Sequence, residues 1–177
     1  DASKAGDYVF LLKNPQKLSD GKSVDISVNL PQGIYEPILL YSAADQSAQE
    51  VEYSLKLDGA YPFEEASMLT APVYYQDDGD FITLLSGDQT ASTQKQLDGL
   101  MSSAAYDIEG VRLTPYTVDI SEGVHTVTVT SIGNDFNICG IAFNIPEDLK
   151  SYKEVQAGYN SVAEYNGRQI TIEAEKP

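Results

Sequence analysis

The sequence predicts an all-β fold, a β-sandwich or jelly roll with a short helical linker behind it. Three observations carry this. Several segments alternate apolar and polar residues with period two, Gly, Pro and Asp-Gly turn signals separate them, and helical periodicity is scarce. The chain has 177 residues, 42% of them hydrophobic, which is enough to bury one ordinary core.

The elements follow in order. "YVFLLK" (Tyr8 to Lys13) is a β-rich apolar run and the first strand candidate. Val24, Ile26, Val28 and Leu30 alternate with Asp25, Ser27 and Asn29, the pattern of a strand with one buried face. "PQG" (Pro31 to Gly33) turns the chain, and "IYEPILLYSA" begins the next strand. In "EVEYSLKLDG", Val51, Tyr53, Leu55 and Leu57 share a face, and Asp58-Gly59 is a tight-turn signal. "ASTQKQLDGLMSSAAY" reads as a short helix weakened by Gly99. "YTVDI" leads through "SEGV" into "HTVTVTSI", where the valines place His125, Val127, Val129 and Ser131 inward. "SIGNDF" is a hairpin turn, and "FNICGIAFNI" (Phe136 to Ile145) is nearly continuously apolar, as a central strand is. Pro146 suits a first helical position, Glu147 and Asp148 complement the positive end of a helix dipole, and Leu149, Tyr152, Val155 and Tyr159 follow at near-helical spacing. The expected organisation is therefore a sandwich over 1–145, a helical exit linker over 146–169, and a last alternating stretch over 170–177.

Three of these patterns, taken in order, carry a resemblance. They are "VDISVNLPQGIYEPILLY", "YSLKLDGAYPFEEA" and "SEGVHTVTVTSIGNDFNICGIAFN". The first and third resemble the galactose-binding-like jelly rolls of carbohydrate-binding modules, in which a Gly-x-Tyr strand lies mid-sheet and a Gly-x-His strand opens a closing hairpin. With Asp-Gly-x-x-Pro-Phe and the later "PEDLKSYKEV", the set is similar to β-sandwich domains of large extracellular solute-binding proteins of Firmicutes sugar ABC transporters. The resemblance spans roughly residues 24 to 160. It implies a non-catalytic extracellular module, attached to the cell surface in the full-length protein, whose partners are carbohydrate and neighbouring domains of the same polypeptide. "ITIEAEKP" (Ile170 to Pro177), with its Ile-x-Ile-Glu-Ala-Glu run, is similar to the opening strand of such jelly rolls and reads as the first strand of a next module, cut off at Pro177. Two departures stand out: Tyr74 and Tyr75 in "APVYYQDD" replace an aromatic that is often tryptophan, and "GDQTASTQ" (Gly87 to Gln94) lacks the arginine of an Asn-x-x-Arg-Pro stretch.

Sugar recognition on a sandwich uses aromatic rings against pyranose C–H faces and Asp, Asn, Gln or Arg on the hydroxyls. The chain has no tryptophan but 12 tyrosines. Tyr61, Tyr74, Tyr75, Tyr106 and Tyr116 fall near expected loops. The sequence reading places a glycan cleft at Tyr74 and Tyr75, edged by Asp77 and Asp78. Against it stands the plainer reading that one tyrosine of the pair packs inward and the other is an ordinary surface residue. "QDDGD" sets Asp77, Asp78 and Asp80 around a glycine. Hard oxygens so spaced are candidate ligands of a structural calcium, an ion that modules of the resembled fold often carry, but the distal Glu and regular spacing of a helix-loop-helix calcium loop are missing, and a solvated acidic hairpin tip is the favoured reading. No other cofactor is expected.

Other function classes fit poorly. A net charge of −16 repels phosphate backbones and anionic lipid, so neither nucleic acid nor membrane insertion is expected, and no apolar run is long enough to span a bilayer. The carboxylate pairs Glu64-Glu65 and Asp77-Asp78 have the chemistry of a glycosidase, but such pairs arise by chance among 27 acids. His125 and Cys139 are single, so a His/Cys zinc site cannot form, and no nucleophile motif gives His125 a partner. Two alternatives to sugar binding stay open: an interaction or spacer domain, and an accessory module of a glycoside hydrolase.

Overall fold

A computed structural model describes residues 6–44, 49–110, 112 and 114–147. Residues up to Pro146 form one compact unit. The expected helix after Pro146 and the alternating stretch at 170–177 lie outside the described residues.

The strands run β1 (Tyr8–Leu18), β2 (Ser23–Leu30), β3 (Gly33–Ala43), β4 (Glu50–Leu57), β5 (Leu69–Pro72), β6 (Tyr75–Asp78), β7 (Ile82–Thr83), β8 (Gln89–Thr90), β9 (Thr93–Gln96), β10 (Met101–Ala104), β11 (Tyr106–Asp107), β12 (Val118–Ile120), β13 (Gly123–Ile132) and β14 (Phe136–Asn144). A single 3₁₀ turn, Glu64–Ser67, breaks the series among the described residues. One five-stranded sheet has the order β1-β14-β3-β10, with β12 also pairing on β3. The other has the order β11-β5-β4-β13-β2, and every pairing is antiparallel. The architecture is all-β and sandwich-like, as the period-two patterns require.

Both sheets contribute to one core. Val24, Ile26, Val28 and Leu30 of β2, with Val127 and Val129 of β13, meet Tyr35, Leu39 and Tyr41 of β3 and the apolar residues of β14. The faces of β2, β4 and β13 are those the alternation predicts. Strand β14 is central, between β1 and β3, and is buried along most of its length. Its register slips between Ile138 and Gly140, leaving Cys139 as the extra residue of a bulge. The slip changes parity. Phe136 and Ile138 point inward before it, and Ile141 and Phe143 point inward after it. Ala142 instead joins Ile38 and Leu40 in a small second cluster on the other face of the sheet.

Two sequence expectations are corrected. Residues 91–106 form β9, β10 and the start of β11 rather than a helix. Gly99 sits at φ 121°, outside the helical region, and Met101 and Ser103 alternate inward against the edge of β3. "SIGNDF" is a tight turn, with Gly133 at φ 80° and the Ser131 hydroxyl donating to the Asn134 carbonyl at 2.8 Å. It is not a hairpin, because β13 belongs to one sheet and β14 to the other. Turn chemistry reports a reversal of direction but not which sheet receives the chain.

The bulge depends on a missing side chain. A Cβ at Gly140 would collide with the backbone carbonyl of Phe10 and stand 3.0 Å from the Leu11 Cα. Gly140→Ala is therefore expected to destabilise the protein by about 1–3 kcal/mol, the usual cost of overpacking. Urea unfolding checks this: a midpoint equal to that of the wild type contradicts the packing described here.

Candidate functional site

The residues singled out from sequence lie on an arm. Strands β6 and β9 form a two-stranded ribbon outside the main sheets, with Tyr75 opposite Gln96 and Asp78 opposite Thr93. Strands β7 and β8 continue it as a second small ribbon. "QDDGD" is thus not a hairpin tip. The chain stays paired past it and turns only at Leu84 to Asp88, where the Leu84 N–H donates to the Asp88 carbonyl at 2.8 Å. Neither tyrosine of the pair is fully buried. Tyr74 is 47% exposed, while Tyr75 is half-buried and packs on the edge of the core.

Tyr75 and Asp78 line a shallow concavity of about 370 Å³ together with Gln94, Lys95, Gln96 and Asp98; Tyr74 and Asp77 do not line it. Asp77, Asp78 and Asp80 are exposed. Among the described residues, no three His, Cys, Asp or Glu side chains come together in a way that could hold a metal ion.

A larger cavity, of about 600 Å³, lies elsewhere. One wall is the 3₁₀ turn with Glu64, Glu65 and Ser67, followed by Met68. The turn is closed by the Met68 N–H donating to the Glu65 carbonyl at 2.9 Å and the Ser67 hydroxyl donating to the Glu64 carbonyl at 3.0 Å. The facing wall is the end of β11 and the segment behind it: Asp107, then Ile108 and Glu109, then Arg112 and Tyr116. The pairing of β11 with β5, Tyr106 opposite Thr70 and Asp107 opposite Leu69, brings the walls together.

Tyr116 organises this cavity. Its ring stacks on Phe63 with centroids 4.4 Å apart and planes 9° from parallel, and the Arg112 guanidinium carbon lies 4.7 Å from the Tyr116 centroid. Phe63 and Arg112 thus both pack on the ring. Its hydroxyl donates to Asp107 Oδ2 at 2.8 Å. Burial, reinforced by the Asp107 carboxylate, pushes the Tyr116 hydroxyl up to about 12, so it remains a donor. Arg112 Nε donates to the Thr114 hydroxyl at 3.2 Å. Arg112 is the cation of a lining that carries the carboxylates of Glu64, Glu65, Asp107 and Glu109, while Met68 and Ile108 are exposed apolar walls.

The structure also supplies His125 with partners that spacing does not reveal. Asp58 and Gly59 both adopt positive φ, 50° and 82°, making the tight turn that Asp-Gly signals, with the Leu57 and Ala60 backbones bonded across it. The Asp58 side chain reaches back to β13. Oδ1 accepts from the Thr126 N–H at 2.8 Å, and Oδ2 lies 2.7 Å from His125 Nδ1. The opposite nitrogen, Nε2, lies 2.9 Å from the Ser121 carbonyl and 3.4 Å from the Ser121 hydroxyl. The residue types match a Ser-His-Asp triad, but the bonding does not. Nε2 lies nearer the Ser121 carbonyl than the Ser121 hydroxyl, so protonation, which gives both ring nitrogens an N–H, favours this arrangement. This is a clasp between two connections.

Comparison with known proteins brings no match, either to a family model or to a curated protein. Among the described residues no helix is long and apolar enough to cross a membrane.

The clasp makes stability depend on pH. The hydrogen bond to Asp58, with that to Ser121, raises His125 above its ordinary value near 6.5, and the hydrogen bonds from His125 and Thr126 lower Asp58. A raised imidazole contributes fully below about pH 6.5 and loses its contribution as pH climbs through the raised value; a lowered carboxyl contributes above about pH 4 and loses it as pH falls further. Melting temperature is expected to decline above about pH 6.5 in the wild type, and Asp58→Asn to flatten that limb. Parallel curves for the two proteins would rule the clasp out.

Proposed function

We propose that this chain is a galactose-binding-like jelly-roll module that binds neutral carbohydrate without catalysis, in the setting of an extracellular, surface-attached solute-binding protein of a bacterial sugar uptake system. The observation that carries the binding reading is the 600 Å³ cavity at Arg112, whose size falls within the range of about 300–1,000 Å³ typical of small-ligand sites. Its lining combines what polyols need. Exposed carboxylates at Glu64, Glu65 and Glu109 accept from hydroxyls, the guanidinium of Arg112 offers N–H donors in a fixed fork, and Met68 and Ile108 provide apolar contact. With Phe63 and Arg112 packed on the Tyr116 ring, recognition rests on the polar forks rather than on an aromatic platform. The ordered sequence motifs supply the fold family and the transporter setting. The non-catalytic reading rests on the resemblance, and the contacts of His125 with Asp58 and the Ser121 carbonyl support a structural role for that residue.

A second reading, an interaction module that binds no sugar, is favoured by one specific feature, the apolar tip of the arm beyond β6 and β9.

Isothermal titration against a broad panel of neutral oligosaccharides tests the first reading. Arg112→Ala is expected to weaken the best ligand about 10- to 100-fold, the scale of hydrogen bonds to a charged group. Its melting temperature should remain near that of the wild type, since Arg112 is exposed. Tyr75→Ala, on the arm, should bind normally. A panel without a single binder refutes the carbohydrate reading, and loss of binding in Tyr75→Ala with retention in Arg112→Ala moves the site to the arm.

A further inference from the structure

The arm carries a feature that sugar binding does not use. Every described side chain from Gln76 to Ala91 is exposed. Within five positions the arm presents Phe81, 65% exposed, Leu84, 47% exposed, and Leu85, 111% exposed, as open as a side chain can be. This is not a loose loop that happens to contain apolar residues. The turn is built: the Gly87 N–H donates to the Leu84 carbonyl at 2.9 Å, the Ser86 hydroxyl donates to Asp88 Oδ2 at 2.8 Å, and Gly87 takes φ +87°. The polar groups of the turn are satisfied by one another, and what it presents outward is leucine. A clustered apolar tip with a polar border is the signature of a surface that meets another molecule.

Charge identifies the kind of molecule. Between residues 75 and 100 stand Asp77, Asp78, Asp80, Asp88 and Asp98 against the single cation Lys95, itself 4.0 Å from Asp98. An acidic border repels an anionic bilayer. It also opposes a second copy of the same chain, because two tips would bring matching carboxylates together on molecules that each carry a charge of −16. The border complements lysine and arginine.

We infer that the arm tip is a docking surface for another protein, and that it engages an amphipathic segment whose apolar side chains are flanked by Lys or Arg. Phe81, Leu84 and Leu85 supply the apolar contact, and the aspartates select the partner and steer its approach.

The test uses the whole chain and three immobilised synthetic peptides: an amphipathic Leu/Lys peptide, a Lys/Ser peptide of equal charge, and a Leu/Glu peptide. The Leu/Lys peptide is expected to bind at least tenfold more tightly than either of the others. Phe81→Ser combined with Leu85→Ser should lose that advantage at unchanged net charge and unchanged melting temperature. Asp77→Asn with Asp80→Asn should weaken binding and reduce its salt dependence. Failure of the wild type to bind the Leu/Lys peptide overturns the inference, as does equal binding of the Lys/Ser peptide or full binding by the double serine variant. Leu85-dependent self-association in sedimentation assigns the tip to a second copy instead, and Leu85-dependent binding to phosphatidylcholine vesicles assigns it to a membrane. Either result overturns the inference. The outcome is independent of the carbohydrate titration, which reads a different surface.

Discussion

At Gly140 the backbone of β1 passes where any side chain would stand, and much of the sandwich follows from that close approach. It fixes β1 as a neighbour of β14 and admits the bulge at Cys139. Without the extra residue, strict alternation would bury Phe136 and Ile138 and turn Ile141 and Phe143 outward, because a one-residue slip reverses every later side chain. With it, all four reach the same core. Aromatic contacts extend this order outward from β14: Phe143 meets Phe10 of β1 and Tyr35 of β3 edge-on, with centroids 6.2 and 6.1 Å apart. Tyr35 in turn is tied by its hydroxyl to the Pro31 carbonyl at 2.9 Å, which secures the turn into β3.

The same topology creates the site. Strand β2 lies in one sheet and β3 in the other, and β12, β13 and β14 likewise alternate between sheets. Crossings of this kind leave connections at the ends of the sandwich, where residues remote in sequence can meet. The cavity at Arg112 arises in this way, since the connection after β4 supplies one wall and the connection after β11 the other. The Asp58–His125–Ser121 clasp joins the start of the first connection to the segment just beyond Tyr116.

What could be read in advance divides along the same line. The buried faces of β2, β4 and β13 were legible because period-two alternation is a local property and burial of one face enforces it. The Asp58-Gly59 turn was legible for a similar reason, since left-handed φ angles restrict the choice of residue. Residues 91–106 misled because Gln, Lys, Leu, Met and Ala favour helix weakly, while pairing of Met101–Ala104 with the edge of β3 decides the outcome. Of the four residues that suggested a glycan cleft, Tyr75 and Asp78 share a shallow concavity and Tyr74 and Asp77 lie outside it, while nothing in the sequence pointed to the larger cavity. Tyr116 read as one loop tyrosine among several, and Glu64-Glu65 as one acidic pair among many. Nothing in either stretch reports that β11 pairs with β5 and closes the distance. No local motif can announce the partner of His125, because Asp58 is 67 residues away.

The acidic surface then has a physical consequence beyond solubility. Carboxylates at the cavity and on the arm lie in the same field, which disfavours any anion at either place. A neutral polyol escapes that penalty, because its hydroxyls can donate to carboxylates and need only one forked donor in return. A protein segment does not escape it unless it brings its own cations. One charge distribution thus sets different requirements at two surfaces: at the cavity it favours neutral over acidic ligands, and at the arm, where Phe81, Leu84 and Leu85 are exposed, it favours basic over acidic partners. Neither requirement depends on the other, because the cavity and the arm share no lining residue.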